Sequence, residues 1–122
     1  MKNKIFIFDL DDTLYKEIDF LYSAYREIAG WIELKFSLKG IYAFMLETYK
    51  EQADVFSRLI DTYDLSLTKA DLLSVYRSHR PNIRLELDTL KALEVLKQDF
   101  ILGMITDGRS ITQRNKFQAL GL

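Results

Sequence analysis

Two short apolar segments that end in polar turns are separated along the chain by longer segments with helical periodicity. Residues 4–9 read Lys-Ile-Phe-Ile-Phe-Asp and predict a buried β-strand. Residues 100–105 predict a second strand, which a Thr-Asp-Gly turn follows. Strands separated by helices are expected to be parallel and to be joined by right-handed crossovers. The pattern therefore predicts an α/β fold in which most residues are helical.

In the remaining segments the apolar residues recur at spacings of three and four, as on one face of a helix. These segments are residues 18–36, 41–63, 86–98 and 109–120. A shorter helix is expected after Ser66 or Thr68, since either side chain can cap it. The segment 79–82 contains the only proline and predicts a linker. The sequence thus predicts an α/β core at residues 1–15 and 82–122 and a helical insertion at residues 16–81.

Composition excludes several classes of function. The chain has 122 residues, of which 48% are hydrophobic and 29% are charged, with 17 basic and 18 acidic side chains. This balance shows no basic stripe for nucleic acid and no acidic tail. The absence of cysteine excludes disulfides and thiolate metal sites. Apolar runs are too short to cross a bilayer, and the first strand begins too early for a signal peptide, so a cytoplasmic location is predicted.

Polar side chains follow both predicted strands, where parallel α/β sheets place their ligand sites. They are Asp9, Asp11, Asp12 and Thr13 after the first strand, and Thr106, Asp107 and Gly108 after the second. Carboxylates two residues apart repel each other and favour a divalent cation, for which Mg²⁺ is suited because it prefers oxygen ligands. An aspartate beside Mg²⁺ can attack a phosphoryl group, and a second aspartate can serve as acid and base.

Two other interpretations apply to the acidic turn. Asp and Thr are common at helix N-termini, so the turn can be an ordinary cap. A calcium-binding loop is the second alternative, and it fails because Leu14 and Phe20 stand where such a loop needs Gly and Glu.

Both strand ends resemble known motifs. The sequence Asp9-Leu10-Asp11-Asp12-Thr13 resembles the D-x-D-x-T first motif of the haloacid dehalogenase-like (HAD) superfamily. Ile105-Thr106-Asp107-Gly108 resembles the second motif, and the helical stretch between them is placed like the cap that some members insert after the first motif. The resemblance implies a Rossmann-like parallel sheet core with a helical-bundle cap.

The same resemblance implies a role for each motif residue. Asp9 would be the nucleophile and a Mg²⁺ ligand. Asp11 would be the general acid and base and would offer its backbone carbonyl to the metal. Thr106 would bind the phosphoryl group, assisted by N–H groups around Asp107 and Gly108. The implied function is a Mg²⁺-dependent phosphatase acting on a small phosphorylated metabolite, with no nucleic-acid or membrane partner.

The family's third motif, a lysine, and its fourth, an acidic pair, lie beyond the second motif and are not found within the 122 residues. Lys116 lies in the helix directly after the second motif, and we do not assign it the third-motif role. We therefore expect little phosphatase activity from this polypeptide alone. A non-enzymatic remnant or interaction module is the alternative, and complementation by another polypeptide is a third. The outer side of the first strand would be an unpaired apolar edge, which predicts self-association.

Overall fold

The computed structural model describes residues 4–122, which form two strands and six helices. The strands are β1 (Ile5–Asp9) and β2 (Ile101–Ile105). The helices are α1 (Glu17–Phe36), α2 (Ile41–Lys50), α3 (Val55–Tyr63), α4 (Lys69–Ser78), α5 (Leu87–Asp99) and α6 (Ser110–Ala119). None of the helices in the described residues has the length and apolar character needed to span a membrane.

Strands β1 and β2 pair in parallel, which confirms the predicted α/β class. The register joins Ile5 to Ile101 and continues without a break to the pair of Asp9 and Ile105. Because the strands run in the same direction, their carboxyl ends lie at one edge of the sheet. Asp9 and Thr106 are therefore the last residue of β1 and the first residue beyond β2 at that edge.

The chain divides into two compact units. One unit consists of the segment up to Leu21 together with Arg80–Leu122, and it contains the sheet, α5 and α6. The other unit is Tyr22–His79, which is entirely helical in its regular elements.

The apolar strand β1 is exposed, contrary to the expectation that it is buried. Ile5 is 64% exposed and Ile7 is 53% exposed, and on β2 Ile105 is 66% exposed. The reason is that the sheet described here has only two strands, so β1 has one neighbour in it. A strand rich in Ile and Phe is suited to burial on both faces, and this sheet does not provide it.

Helix α5 is also less buried than its leucines predict. It contains no buried residue, and Leu87 is 64% exposed. A cavity of about 330 Å³ opens in this unit, with Phe8, Leu90, Leu93, Leu102 and Phe117 among its lining residues. The apolar interior of this unit is consequently incompletely filled.

Helix α1 forms by the predicted periodicity. Its buried residues recur every three or four positions and are Phe20, Ser23, Ala24, Tyr25, Ile28, Ala29 and Ile32. The prediction for residues 18–36 is confirmed to within one residue.

The single helix predicted over residues 41–63 is wrong, because the chain forms two helices there. Gln52 has a φ of 59°, which breaks the helical path after α2. The Asp54 side chain then accepts a hydrogen bond from the Ser57 N–H at 3.2 Å and caps α3. Lys69 also pairs with the Asp54 carboxylate. A cap of this kind satisfies an N–H group that has no partner within the helix.

Of the two residues expected to cap the next helix, Thr68 does so. Its side chain accepts from the Asp71 N–H at 3.2 Å, while the Asp71 carboxylate accepts from the Thr68 N–H at 2.9 Å. This reciprocal arrangement is a capping box.

An aromatic cluster lies within the helical unit around Tyr25. The Tyr25 ring lies 6.1 Å from Phe56, 6.3 Å from Tyr49 and 6.4 Å from Tyr76. Burial, followed by the proximity of Tyr49, raises the pKa of Tyr25 to about 12. The phenol therefore stays neutral, and Tyr25 and Phe56 are buried in this cluster, whereas Tyr49 is 39% exposed.

His79 is buried in the same unit, where both ring nitrogens have partners. Nδ1 lies 2.7 Å from the Tyr76 carbonyl oxygen, and Nε2 lies 3.2 Å from the Ser23 hydroxyl oxygen. A carbonyl oxygen only accepts, so Nδ1 carries the proton, and Nε2 of the neutral ring accepts from Ser23. These contacts give His79 a structural role within the helical unit.

We predict that the protein loses stability as the pH falls below about 6.5, the ordinary pKa of histidine. Burial lowers the pKa of His79 in the folded state, against smaller opposing effects of the Tyr76 carbonyl and Glu27. The folded state thus binds fewer protons than the unfolded state. The contribution of neutral His79 to the free energy of unfolding is therefore complete above about pH 6.5, and it is lost as the pH falls from there through the lower pKa of the folded state. Urea denaturation at a series of pH values measures it. His79→Gln should remove this component, and an unchanged pH profile in that variant would contradict the assignment.

Candidate functional site

The acidic turn after β1 is anchored by buried leucines. Leu10 is fully buried and Leu14 is 6% exposed, and the Leu14 N–H donates to the Leu10 carbonyl at 3.1 Å. The Asp9 Oδ1 atom accepts from the Leu10 N–H at 2.9 Å. The Asp9 side chain itself is exposed at the end of the strand. Among residues 4–122, the turn therefore fixes one carboxylate oxygen of Asp9 and leaves the other available to a ligand.

Asp12 has a structural role that separates it from the other two aspartates. It adopts a left-handed conformation with a φ of 59°, which Asp tolerates better than most residues. Its Oδ1 atom accepts from the Glu17 N–H at 2.8 Å, where α1 begins. The cap interpretation of the acidic turn thus describes Asp12.

The Asp11 carboxylate is held by two donors on one oxygen. The Tyr15 hydroxyl donates to Oδ1 at 2.6 Å, and the Lys116 ammonium donates to the same atom at 2.8 Å. The Asp11 side chain is 22% exposed and that of Lys116 is 4% exposed. This contact connects the acidic turn to α6, across 105 residues of sequence.

Two aromatic rings surround the Lys116 ammonium. Nζ lies 4.4 Å from the centroid of the Phe20 ring and 5.8 Å from that of Tyr15. A buried ammonium is costly unless it is paired, and aromatic faces attract a cation. The carboxylate of Asp11 and these rings together allow the charge to be buried.

The turn after β2 is held by Gln113 of α6. The Thr106 hydroxyl donates to Gln113 Oε1 at 2.9 Å, and Gln113 Nε2 donates to the Asp107 carbonyl at 3.0 Å. The Asp107 carbonyl accepts only, which fixes which end of the amide faces it. Gln113 therefore fixes the Thr106 side chain and the backbone of the turn at once.

Gly108 closes this turn with a φ of 130°, a conformation that residues with a side chain rarely adopt. A Cβ atom there would also collide with Gln113 Nε2. Glycine at this position follows from both constraints.

The structure brings the predicted residues to one edge of the sheet, and it adds three residues that the sequence analysis did not assign to the site. Asp9 and Thr106 lie at neighbouring strand ends, and Asp11 lies in the turn between β1 and α1. The unassigned residues are Tyr15, Gln113 and Lys116. Lys116 gives no signal in the sequence itself, because the buried stripe that it forms on α6 with Thr112, four residues earlier, is seen only in the structure. A lysine in such a stripe indicates a buried partner of opposite charge.

The oxygen atoms in the turn after β1 are suited to a small, hard cation. Within residues 4–122 no three His, Cys, Asp or Glu side chains converge to form a metal site. The ligands that the family resemblance implies for Mg²⁺, the Asp9 carboxylate and the Asp11 carbonyl, are few. That fits this ion, which is often bound by one or two carboxylates, several waters and a substrate phosphate.

We predict that Gly108→Ala lowers the free energy of unfolding by about 1–3 kcal/mol, the usual cost of a residue forced into a sparsely populated conformation. Rotation of Gln113 can relieve the collision but not the backbone strain, and it would release Thr106. Gly30→Ala is the matched control, since Gly30 lies within α1 with open space around it. That change should raise stability by about 0.5–1 kcal/mol. Urea denaturation compares the two, and equal stability of both variants would exclude strain at Gly108.

The chain resembles known proteins over nearly its whole length. The family model described as haloacid dehalogenase-like hydrolase matches residues 6–122. Curated protein sequences give no significant match. Among solved structures, YfnB of Bacillus subtilis, assigned to the HAD hydrolases and bound to magnesium, superposes with a TM-score of 0.59 at 19% identity. A haloacid dehalogenase-like family hydrolase from Xanthomonas campestris gives a TM-score of 0.49 at 17% identity.

These structures are longer than the present chain. The superposition covers 100% of this chain and 60% of YfnB, and the corresponding values for the Xanthomonas campestris protein are 98% and 57%. The family match extends over both strand-end motifs, and the parallel strands and helices are those of the same fold. The chain belongs to the haloacid dehalogenase-like hydrolases.

Proposed function

We propose that this chain carries the nucleophile part of a Mg²⁺-dependent phosphatase site for small phosphorylated metabolites. The observation that supports it is the parallel pairing of Asp9 with Ile105. That pairing places a carboxylate and the Thr106 hydroxyl at adjacent strand ends, where one phosphoryl group can lie between them.

In this proposal Asp9 attacks phosphorus through Oδ2, since Oδ1 accepts from the Leu10 N–H. The bond from phosphorus to the leaving oxygen breaks, and Asp11 transfers a proton to that oxygen. Asp11 then removes a proton from water, which attacks the aspartyl-phosphate and releases inorganic phosphate and free Asp9. Mg²⁺, when bound by the Asp9 carboxylate and the Asp11 carbonyl, would neutralise charge on the phosphoryl oxygens.

Thr106 has to exchange one hydrogen bond for another in order to act. Its hydroxyl hydrogen is directed to Gln113 in the structure. A hydroxyl has one hydrogen to donate, so donation to a phosphoryl oxygen requires rotation away from Gln113. A neutral hydrogen bond contributes about 1 kcal/mol net, and one to a charged acceptor contributes more, so the exchange favours the phosphoryl group.

YfnB, which is described as bound to magnesium, supports the metal in this proposal. The residues 1–122 do not contain the lysine and the acidic pair that the family resemblance places after the second motif. By the family resemblance, those groups offset the charge on the nucleophile and the phosphate. Removal of one well-placed stabilising donor commonly costs about 10²–10³ in rate.

We predict that beryllofluoride, which mimics an aspartyl-phosphate, binds the chain with Mg²⁺ present. A ¹⁹F NMR signal of the bound species should be found in the unmodified chain and be lost in Asp9→Asn. Asp99→Asn, at an exposed carboxylate at the end of α5, serves as the control that keeps the signal. A signal that persists in Asp9→Asn would exclude this nucleophile.

The same preparation should hydrolyse a generic aryl phosphate poorly or not at all. Rapid turnover that depends on Asp9 would contradict the expectation for the isolated polypeptide.

We also propose that the chain self-associates through β1, and the exposure of Ile5 and Ile7 supports this. An exposed apolar strand with unpaired N–H and C=O groups can pair with a second copy.

For this assembly we predict a mass that rises with concentration in light scattering. Ile7→Lys should shift the protein towards monomer, because natural edge strands use lysine to prevent such pairing. Lys91→Met, at an exposed position of α5, controls for altered surface charge. A single monomeric mass at all concentrations would contradict self-association.

A further inference from the structure

We propose that Lys116 is a positioning residue for Asp11. Its ammonium and the Tyr15 hydroxyl hold Oδ1, which leaves Oδ2 as the oxygen that exchanges a proton with the bound ligand. The proton exchange depends on the phosphatase function proposed above, whereas the positioning depends on the contacts alone.

The first argument is the arrangement of the donors. Tyr15 and Lys116 donate to the same oxygen of Asp11, at 2.6 and 2.8 Å. A change of Asp11 rotamer would break both hydrogen bonds, which are charge-assisted and therefore strong because their acceptor is a carboxylate. Within the part of the chain that the structure describes, no protein group donates to Oδ2. The two oxygens of one carboxylate thus have different functions available to them.

The second argument is the burial of Lys116. An exposed lysine pair is weak, because water screens the charges and the long side chain loses freedom when it is held. The Lys116 side chain is 4% exposed and lies against Phe20, so it has little room for another conformation. Its ammonium therefore acts as a fixed point from which the position of Asp11 is set.

The third argument is the position of Lys116 on α6. Gln113 lies three residues earlier on the same helix and holds Thr106. Residues three apart lie on the same side of a helix. One rigid element therefore sets the position of the proposed acid and base and that of the proposed phosphoryl-binding hydroxyl. This arrangement assigns Lys116 to Asp11 and not to the role of the family's third-motif lysine.

The direct test uses NMR on the unmodified chain. A scalar coupling across the hydrogen bond, between ¹⁵Nζ of Lys116 and ¹³Cγ of Asp11, is expected. Three-bond couplings to the Asp11 Cγ atom should also report a single side-chain rotamer. The absence of the cross-hydrogen-bond coupling, or averaged Asp11 couplings, would overturn the proposal without any substitution.

The second test is Lys116→Met, which keeps the apolar chain and removes the charge. Averaged Asp11 couplings are expected in this variant, and Lys116→Arg should restore the single rotamer. Lys91→Met, at the exposed position on α5, should leave the couplings unchanged. If Lys116→Met folds and Asp11 still occupies one rotamer, Lys116 does not position it.

These outcomes can be separated from those of the proposed function. If the proposed function is wrong, the unmodified chain will show no Asp9-dependent beryllofluoride signal. If the positioning proposal is wrong, the Asp11 couplings will be averaged in the unmodified chain. Their measurement requires neither magnesium nor turnover.

Discussion

The ion pair between Lys116 and Asp11 is the constraint on which the site depends. It joins the turn after β1 to α6, and it does so beneath the surface, where a lone ammonium would be strongly unfavourable. Gln113 extends the same constraint to the turn after β2. Two turns that are distant in sequence are thus both held by α6. The strands that precede them run in the same direction because the sheet is parallel.

The sequence predicts much of the fold because regular patterns carry it. Periodicity gives α1 to within one residue, and the Thr68 cap is found where polar residues precede a helical pattern. The break between α2 and α3 was not predicted, since the apolar spacing continues through it and only Asp54 with Ser57 signals a new helix. The exposure of β1 was also not predicted. The composition of a strand indicates the environment for which it is suited, and it does not indicate how many strands lie beside it in the sheet.

The candidate site is predictable where it depends on strand ends and less so where it depends on side-chain partners. Asp9 and Thr106 follow from two apolar segments that end in polar turns. The contact of Lys116 with Asp11 spans 105 residues, and no local spacing relates the two. Gln113 is equally silent in the sequence, since glutamine is ordinary on a helix surface. Only the crossing of α6 past both turns gives these residues their significance.

The polar edge of the sheet and its apolar surfaces place different demands on the molecule. At the edge, Asp9 accepts a hydrogen bond from Leu10, Asp11 accepts from Tyr15 and Lys116, and Thr106 donates to Gln113. Each of these bonds lies within the described residues. The sheet and α5 leave Ile5, Ile7 and Leu87 in water, which a larger apolar contact would relieve. The geometry of the proposed nucleophile and its acid and base is therefore set locally. Additional packing would change the stability of this unit, while Asp9, Asp11 and Thr106 are already held by the turns and by α6.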